Sequence, residues 1–142
     1  MTYDAYYASP DMQQTIPQDP DAEARWHMYD FYVFPAHRGH GIARKLVAAC
    51  VAAVGESSIA TGQESIKRAK IRIFVNAQKT GLVDTYKRWA FRESGTANIR
   101  EGLTANGMGE SVPQDTTSTE ELRAFFETRV GFAMEKIVDL VF

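Results

Sequence analysis

The sequence predicts an α/β domain of the α+β kind, with a mixed sheet, a strand-turn-helix-strand-helix-strand core and a long insertion before the last strand. Three observations predict this fold: an aromatic, β-branched run that ends at a glycine-rich turn, apolar residues at helical spacing after the turn, and an alternating strand pattern beyond that helix. The chain has 142 residues, of which 44% are hydrophobic and 24% charged. This length and composition suit one globular domain.

The first strand is predicted over Trp26 to Phe34, where the run WHMYDFYVF is aromatic and β-branched and ends at Pro35. Such a run suits a strand that is buried on much of both faces. In front of it, three prolines among Asp and Gln favour an irregular arm. We therefore predict an N-terminal arm over residues 1–25 and the domain itself over residues 26–142.

A helix and a second strand are predicted next. The helix runs until Gly55, because apolar residues recur at helical spacing after the turn: Ile42, Leu46, Ala49, Cys50 and Ala53. Beyond a polar connection, Lys70 to Val75 (KIRIFV) alternates as a strand. We expect this strand to pair parallel with the first one through a right-handed crossover.

The third part of the core is a short helix and a strand. Thr80 is a candidate N-cap for a helix that ends near Ala90, and Phe91 would begin the strand that follows. The last strand of the sheet is predicted over Ala133 to Phe142 (AMEKIVDLVF), antiparallel to the strand that begins at Phe91.

An insertion at about residues 95–132 separates these last two strands. Residues 95–117 are rich in Gly, Thr, Asn and Ser and are predicted to be a long loop. Ser118 and Glu121 fit a capping box that opens the helix ELRAFFETRV.

Charge and cysteine content narrow the function classes. The net charge of -2 argues against nucleic acid, although four cationic candidates cluster locally, suiting a small phosphorylated ligand: Arg38, His40, Arg44 and Lys45. Cys50 is the one cysteine, so we expect no disulfide, no thiolate metal site, and a small buried core residue. No apolar run approaches the roughly 20 residues that cross a bilayer, so we expect no membrane partner and a cytoplasmic location, with the nucleus left open.

The motif that carries chemistry is the turn between the first strand and its helix. Its pattern is Val-x-Pro-x-x-Arg-Gly-His-Gly-Ile-Ala, ending with the residues Arg38, Gly39, His40, Gly41, Ile42 and Ala43. Backbone N–H groups at a helix N-terminus are unpaired and the helix dipole is positive there, so such a turn is an anion site. Glycine allows positive φ and close approach of a phosphate to the amides.

With these flanks, the turn resembles the acetyl-CoA-binding signature of the GNAT N-acetyltransferase superfamily, Gln or Arg-x-x-Gly-x-Gly or Ala. A second element is similar to the family's strand-helix-strand motif: Val75-Asn76 at a strand end, Tyr86 in the helix and Phe91 after it. The second element departs from the family pattern at three positions, namely Lys79, Leu82 and Ala90. The resemblance covers residues 26–94 closely and the last strand more loosely.

The resemblance implies an enzyme that transfers an acetyl group from acetyl-CoA to a primary amine by direct attack. It implies that the backbone of Phe31, Tyr32 and Val33 pairs with pantetheine amides in a V-shaped gap between splayed parallel strands. A β-bulge in the first strand is expected to free an amide for the thioester. The pyrophosphate would bind residues 38–43, with Asn76 near the cofactor.

Two residues are candidates for proton transfer. Tyr86 matches the family tyrosine whose hydroxyl can protonate the leaving thiolate. His27 stands eleven positions before the signature arginine, where some members of the family carry an acidic base. Tyr29 is expected on the same strand face as His27, and Asp30 on the opposite face.

The region in front of the first predicted strand is short for this family, which usually has three strands and two helices there. We therefore expect an exposed apolar edge, covered by the N-terminal arm with its three tyrosines or by a second copy in a homodimer, or by another chain. An inactive, truncated acyl-CoA-binding or interaction module is the alternative function. The acceptor, a small-molecule or protein amine, stays open because the fold does not choose it.

Overall fold

The fold, which a computed structural model describes over residues 10–29 and 31–140, is built on a four-stranded mixed sheet. The strands are β1 (Glu23–His27), β2 (Arg68–Asn76), β3 (Arg92–Asn98) and β4 (Val130–Asp139). Their order in space is β1, β2, β4, β3, with β1 parallel to β2 and β4 antiparallel to both of its neighbours. The predicted mixed sheet and its antiparallel last strand are confirmed.

Helices connect the strands. They are α1 (Ile42–Ala60), α2 (Thr80–Arg88), α3 (Ile99–Ala105) and α4 (Glu120–Leu122), the last continuing as a π-helical turn over Arg123–Glu127. One apolar core joins α1 and α2 to one face of the sheet, and its buried members include Met28, Val47, Ile71, Ile73, Val75, Val83, Tyr86, Phe91 and Met134. In residues 10–29 and 31–140, no helix has the length and apolar character to cross a membrane.

The first strand is shorter than predicted and lies earlier in the chain. β1 begins at Glu23 and ends at His27, so a strand through Phe34 is wrong. Tyr29, Tyr32 and Phe34 have exposed fractions of 65%, 63% and 70%, so burial on both faces is wrong as well. Aromatic residues favour strands only where they can pair and pack. The segment after β1 has neither a strand partner nor a covering layer among the described residues.

Two expectations about the N-terminal part stay open. Asp30 and the three tyrosines of the arm, Tyr3, Tyr6 and Tyr7, lie outside the described residues. The outer edge of β1 has no neighbouring strand in the part of the chain that the structure describes. A dimer or another chain that covers this edge remains a prediction, and so does the domain boundary at residue 25.

The stretch predicted as a long loop contains regular structure. β3 continues to Asn98, and α3 follows at once, because Asn98 and Glu101 form a capping box. The Asn98 side chain accepts a hydrogen bond from Glu101 N at 2.8 Å, and the Glu101 side chain accepts one from Asn98 N at 3.1 Å. The box predicted at Ser118 and Glu121 is wrong, since the N-cap of α4 is Thr119.

Several predicted boundaries shift by a few residues. α1 continues past Gly55 to Ala60, and β2 extends from Arg68 to Asn76. The N-cap of α2 is Lys79, one residue before the predicted Thr80. β4 begins at Val130, because its first residues pair with the end of β3.

The end of α2 is a Schellman motif, a common way to close a helix. Phe91 N donates to the Tyr86 carbonyl at 3.0 Å, and Ala90 N donates to the Lys87 carbonyl at 3.1 Å. Ala90 is the first residue after the helix C-cap, and its φ of +66° is the left-handed conformation that this motif needs there. The Tyr86 and Phe91 rings meet edge to face with centroids 5.4 Å apart. The motif therefore fixes the position of Tyr86 relative to β3.

A cluster of buried charges lies on the sheet face opposite α1 and α2. Lys70 Nζ lies 3.3 Å from Glu135 Oε2 and 3.9 Å from Glu23 Oε1, and all three side chains are at most 1% exposed. At the edges of the cluster, Arg68 pairs with Glu23 at 2.9 Å and Arg92 pairs with Glu135 at 2.7 Å. Charges buried this deeply are stable only when paired.

The segment around Met12 and Thr15 covers this cluster. Thr15 N and Oγ1 donate to the Glu135 carboxylate, and Lys70 Nζ donates to the Thr15 carbonyl. Met12 is fully buried, and its backbone runs so close to Gly95 that a Cβ on Gly95 would lie 2.4 Å from the Met12 carbonyl carbon. Hydrogen bonds of Thr15 to the buried charges, and the close approach of Met12 to Gly95, thus hold the segment on the sheet.

Glu135→Gln tests this cluster, because it removes the negative charge nearest to the Lys70 ammonium at almost constant shape, while Glu23 lies further away at 3.9 Å. We expect the free energy of unfolding to fall by about 3 kcal/mol in urea denaturation. Glu93→Gln is the control, because its pair with Lys87 is exposed and 3.4 Å long, and it should cost below about 1 kcal/mol. Equal losses in the two variants would contradict the assigned role of Glu135.

Candidate active site

A gap opens in the sheet where β1 and β2 diverge. Their register runs without a shift to His27 opposite Arg72, and the Met28 amide then donates to the Arg72 carbonyl at 2.9 Å. β2 continues to Asn76, paired there with β4 alone. The predicted splay is therefore present, and at the end of β2 it leaves backbone groups that have no strand partner on one side within the described part of the chain.

The β-bulge expected in the first strand is absent from β1 as described. The register shift between neighbouring strands instead lies in β3, between Glu93 and Gly95. β1 needs no bulge to free backbone groups, because its pairing with β2 stops at Met28.

A cleft of about 330 Å³ lies beside the divergence. It is lined by His27, Met28, Tyr29, Phe31, Tyr32, Leu46 and Cys50. His27, Phe31 and Tyr32 were predicted as site residues, and the structure brings them together here. Sequence reasoning missed Leu46 and Cys50 as cleft residues, although their spacing of four already placed them on one helix face. Cys50 was predicted as a small buried core residue, and it packs against the core while remaining half-buried.

The glycine turn leads into α1 at the outer end of the site. Gly39 and Gly41 have φ +83° and +74°, and a Cβ at either position would meet nothing within 4 Å. Gly41 is the N-cap of α1, and no side chain caps the helix there. The first amides of this 19-residue helix therefore have no intrahelical acceptor. Open backbone amides at a positive helix end fit a pyrophosphate.

Arg38 connects this turn to the cleft. Its Nε donates to the Val33 carbonyl at 2.9 Å, and its guanidinium carbon lies 5.5 Å from the centroid of the Tyr32 ring. Tyr32 itself lines the cleft. The remaining residues of the turn are exposed, as are Arg44 and Lys45 on the first turn of α1. A phosphorylated ligand could thus contact the turn and the cleft together.

Tyr86 lies behind the cleft wall, not on it. The side chain is 7% exposed and packs edge to face against Trp89 and Phe91. Burial, and next the neighbouring Cys50 thiol, raise the pKa of Tyr86 above its usual value. Cys50, which affects the pKa of the phenol, lines the cleft. The raised pKa keeps the phenol protonated, as a proton donor requires.

His27 is a neutral histidine in the cleft wall. Burial, and next the positive charge of Arg72, lower its pKa from 6.5 to about 3. Its Nδ1 is buried and has no hydrogen-bond partner among the described residues, and its ring packs 4.8 Å from Phe74 and 6.0 Å from Tyr29 between centroids. The shared face of His27 and Tyr29 was predicted. An imidazole with so low a pKa is a weak base, which argues against direct acceptance of an ammonium proton.

Asn76 has a structural task in the turn after β2. Its Oδ1 accepts a hydrogen bond from Gln78 N at 2.9 Å, and its carbonyl accepts one from Lys79 N at 3.0 Å. The side chain is exposed and does not line the cleft. Its predicted contact with the cofactor stays a prediction.

Residues 16–111 match the family model of the acetyltransferase (GNAT) domain. The chain belongs to the GNAT family. The match spans β1, the glycine turn, α1, β2, α2, β3 and α3, so the diverging strands and the turn of this GNAT domain lie inside it. No curated protein and no solved structure matches the chain.

Within the described residues, no three His, Cys, Asp or Glu side chains are grouped as a metal site would require.

The lowered pKa of His27 predicts a pH-dependent stability. Between pH 6.5 and 3 the unfolded chain binds the His27 proton and the folded chain does not, so stability falls as pH falls. From pH 6.5 to 5.0 we expect His27 to cost the wild type about 1.6 kcal/mol of unfolding free energy, a loss absent in His27→Gln. Urea denaturation at the two pH values measures it. His37→Gln, at an exposed histidine, should keep the full loss, and an unchanged loss in His27→Gln would disprove the assignment.

Proposed function

We propose that this GNAT domain binds acetyl-CoA and transfers its acetyl group to a primary amine. The observation that carries the proposal is the uncapped N-terminus of α1, with two left-handed glycines in front of it, next to the cleft where β1 and β2 diverge. Membership of the GNAT family supports acetyl transfer as the type of reaction. The turn and the cleft supply the two kinds of surface that the cofactor needs, one for phosphate and one for its apolar arm.

Binding would use backbone groups more than side chains. The amides of residues 38–43 would hold the pyrophosphate, with Arg38 adding charge and Arg44 and Lys45 exposed beside it. The backbone of Phe31, Tyr32 and Val33, which has no strand partner in the described chain, would pair with the pantetheine amides. This assignment agrees with the open surroundings of Gly39 and Gly41.

Proton transfer would follow the bond changes at the thioester. Acetyl-CoA supplies a thioester carbonyl carbon that the amine nitrogen attacks, so that the C–N bond forms and the C–S bond breaks. Tyr86 would give its phenolic proton to the departing sulfur, and solvent would reprotonate the phenolate. The proton on the amine would leave to solvent or to His27 through water, since the low pKa of His27 makes it a weak direct acceptor.

A calorimetric titration with acetyl-CoA and CoA tests the binding site. The double variant Arg38→Ala, Gly41→Asp should lose binding at least tenfold, because it removes one cation and places a carboxylate at the N-terminus of α1. Gly62→Asp is the matched control, since Gly62 also has positive φ and open space but lies past the C-terminal end of α1. A double variant that binds like the wild type would place the cofactor elsewhere.

Tyr86→Phe tests the proton donor. The change removes only the hydroxyl, so we expect turnover with a panel of primary amines to fall about 100-fold or more while the Kd for acetyl-CoA stays within twofold. Release of the CoA thiol measures turnover. Equal turnover would remove Tyr86 from the mechanism. If the wild type binds acetyl-CoA but turns over no amine in the panel, the alternative of a non-catalytic acyl-CoA-binding module gains support.

A further inference from the structure

A second cavity, of about 200 Å³, lies between the sheet and α1. The sheet contributes Trp26, His27, Met28 and Ile71 to its lining, and α1 contributes Cys50, Ala53, Val54 and Ser57. Three of these residues, His27, Met28 and Cys50, also line the cleft described above. The two cavities therefore meet, and we call the second one the acyl groove.

The acyl groove stays open because the side chains on its helix wall are small. Ala53 and Ser57 occupy one side of α1 at a spacing of four and are exposed. The large Trp26 leaves the space free, because its indole Nε1 donates to the buried Ser58 hydroxyl at 3.0 Å. The indole is thereby held by a hydrogen bond at the side of the groove.

The reacting end of the cofactor would lie where the two cavities meet. Cys50 belongs to both walls, and its thiol is near enough to Tyr86 to contribute to the raised pKa of the phenol. If Tyr86 protonates the departing sulfur, the thioester lies close to Cys50. The carbon chain of the acyl group would then point away from the cleft and into the acyl groove.

We infer that the acyl groove accepts an acyl chain longer than acetyl, so that this domain uses medium-chain acyl-CoA thioesters; the inference rests on the proposed function. Liquid water takes about 30 Å³ per molecule, and a methylene is of similar size, so the groove has room for about six such groups. Most of the lining is apolar, so an aliphatic chain packs there without burying a charge.

The expected signature is tighter binding as the acyl chain grows. A fully buried methylene gives roughly fourfold in affinity, and the groove is partly open to solvent. We therefore expect hexanoyl-CoA to bind about tenfold more tightly than acetyl-CoA, measured by calorimetric titration of the full chain with CoA, acetyl-CoA, butyryl-CoA and hexanoyl-CoA.

Ala53→Phe fills the groove and tests the location. It should abolish the preference for hexanoyl-CoA and leave the Kd for acetyl-CoA within twofold. Ala52→Phe is the matched control, because Ala52 is the exposed alanine that directly precedes Ala53 on α1 and does not line either cavity. This control should keep the preference, and its melting temperature shows whether a phenylalanine on α1 disturbs the fold.

The outcomes separate this inference from the proposed function. Equal affinity of the wild type for acetyl-CoA and hexanoyl-CoA, or a preference that survives Ala53→Phe, overturns the acyl groove as the chain site and leaves acetyl transfer standing. Failure of every ligand to bind, CoA included, overturns the proposed function itself. A preference lost in Ala53→Phe and kept in Ala52→Phe supports the inference.

Discussion

The hydrogen bond from the Met28 amide to the Arg72 carbonyl is the last backbone hydrogen bond that the described residues form between the two parallel strands, and the site depends on it. Up to this bond the strands share a register, and beyond it the chain turns away from β2. The cleft, the unpaired backbone around Phe31 and the approach to the glycine turn all follow from this departure. Had the strands paired for their full predicted length, the same residues would have closed the space.

A second constraint acts from the other face of the sheet. Arg72 donates to the Ala105 carbonyl, the Asn106 side chain and the Gln14 side chain, so it joins α3 and the N-terminal segment to β2. Its charge is also one of the two causes that keep His27 neutral. Packing on the covered face thus affects the protonation of a residue in the cleft wall. Substitutions near Asn106 or Gln14 should therefore change the protonation of His27, because they move the charge of Arg72.

The sequence predicts those parts of the fold and site that are determined by residues close together in the chain. The glycine turn, the helix after it and the place of Tyr86 on α2 depend on neighbouring residues, and all three are found. The capping box at Ser118 is also a local prediction, and it is wrong because Thr119 caps that helix instead. The early end of β1 could not be predicted, because it depends on which strands are available as partners. The buried state of Lys70 depends on Glu135 and Thr15, which are far away in the sequence. Cys50 lines the cleft only because the segment after β1 turns away from β2.

Ala90 explains one departure from the family pattern in terms of backbone geometry. The family usually has glycine before the phenylalanine, and the φ of +66° shows why, since the Schellman motif needs a left-handed residue there. Alanine pays a steric cost of about 1 kcal/mol in this conformation, and the surrounding packing holds it in place. The helix end that positions Tyr86 is therefore mildly strained. Replacing Ala90 by glycine would remove this strain and raise the Tm by a few degrees. The Tyr86 phenol would stay in the same position.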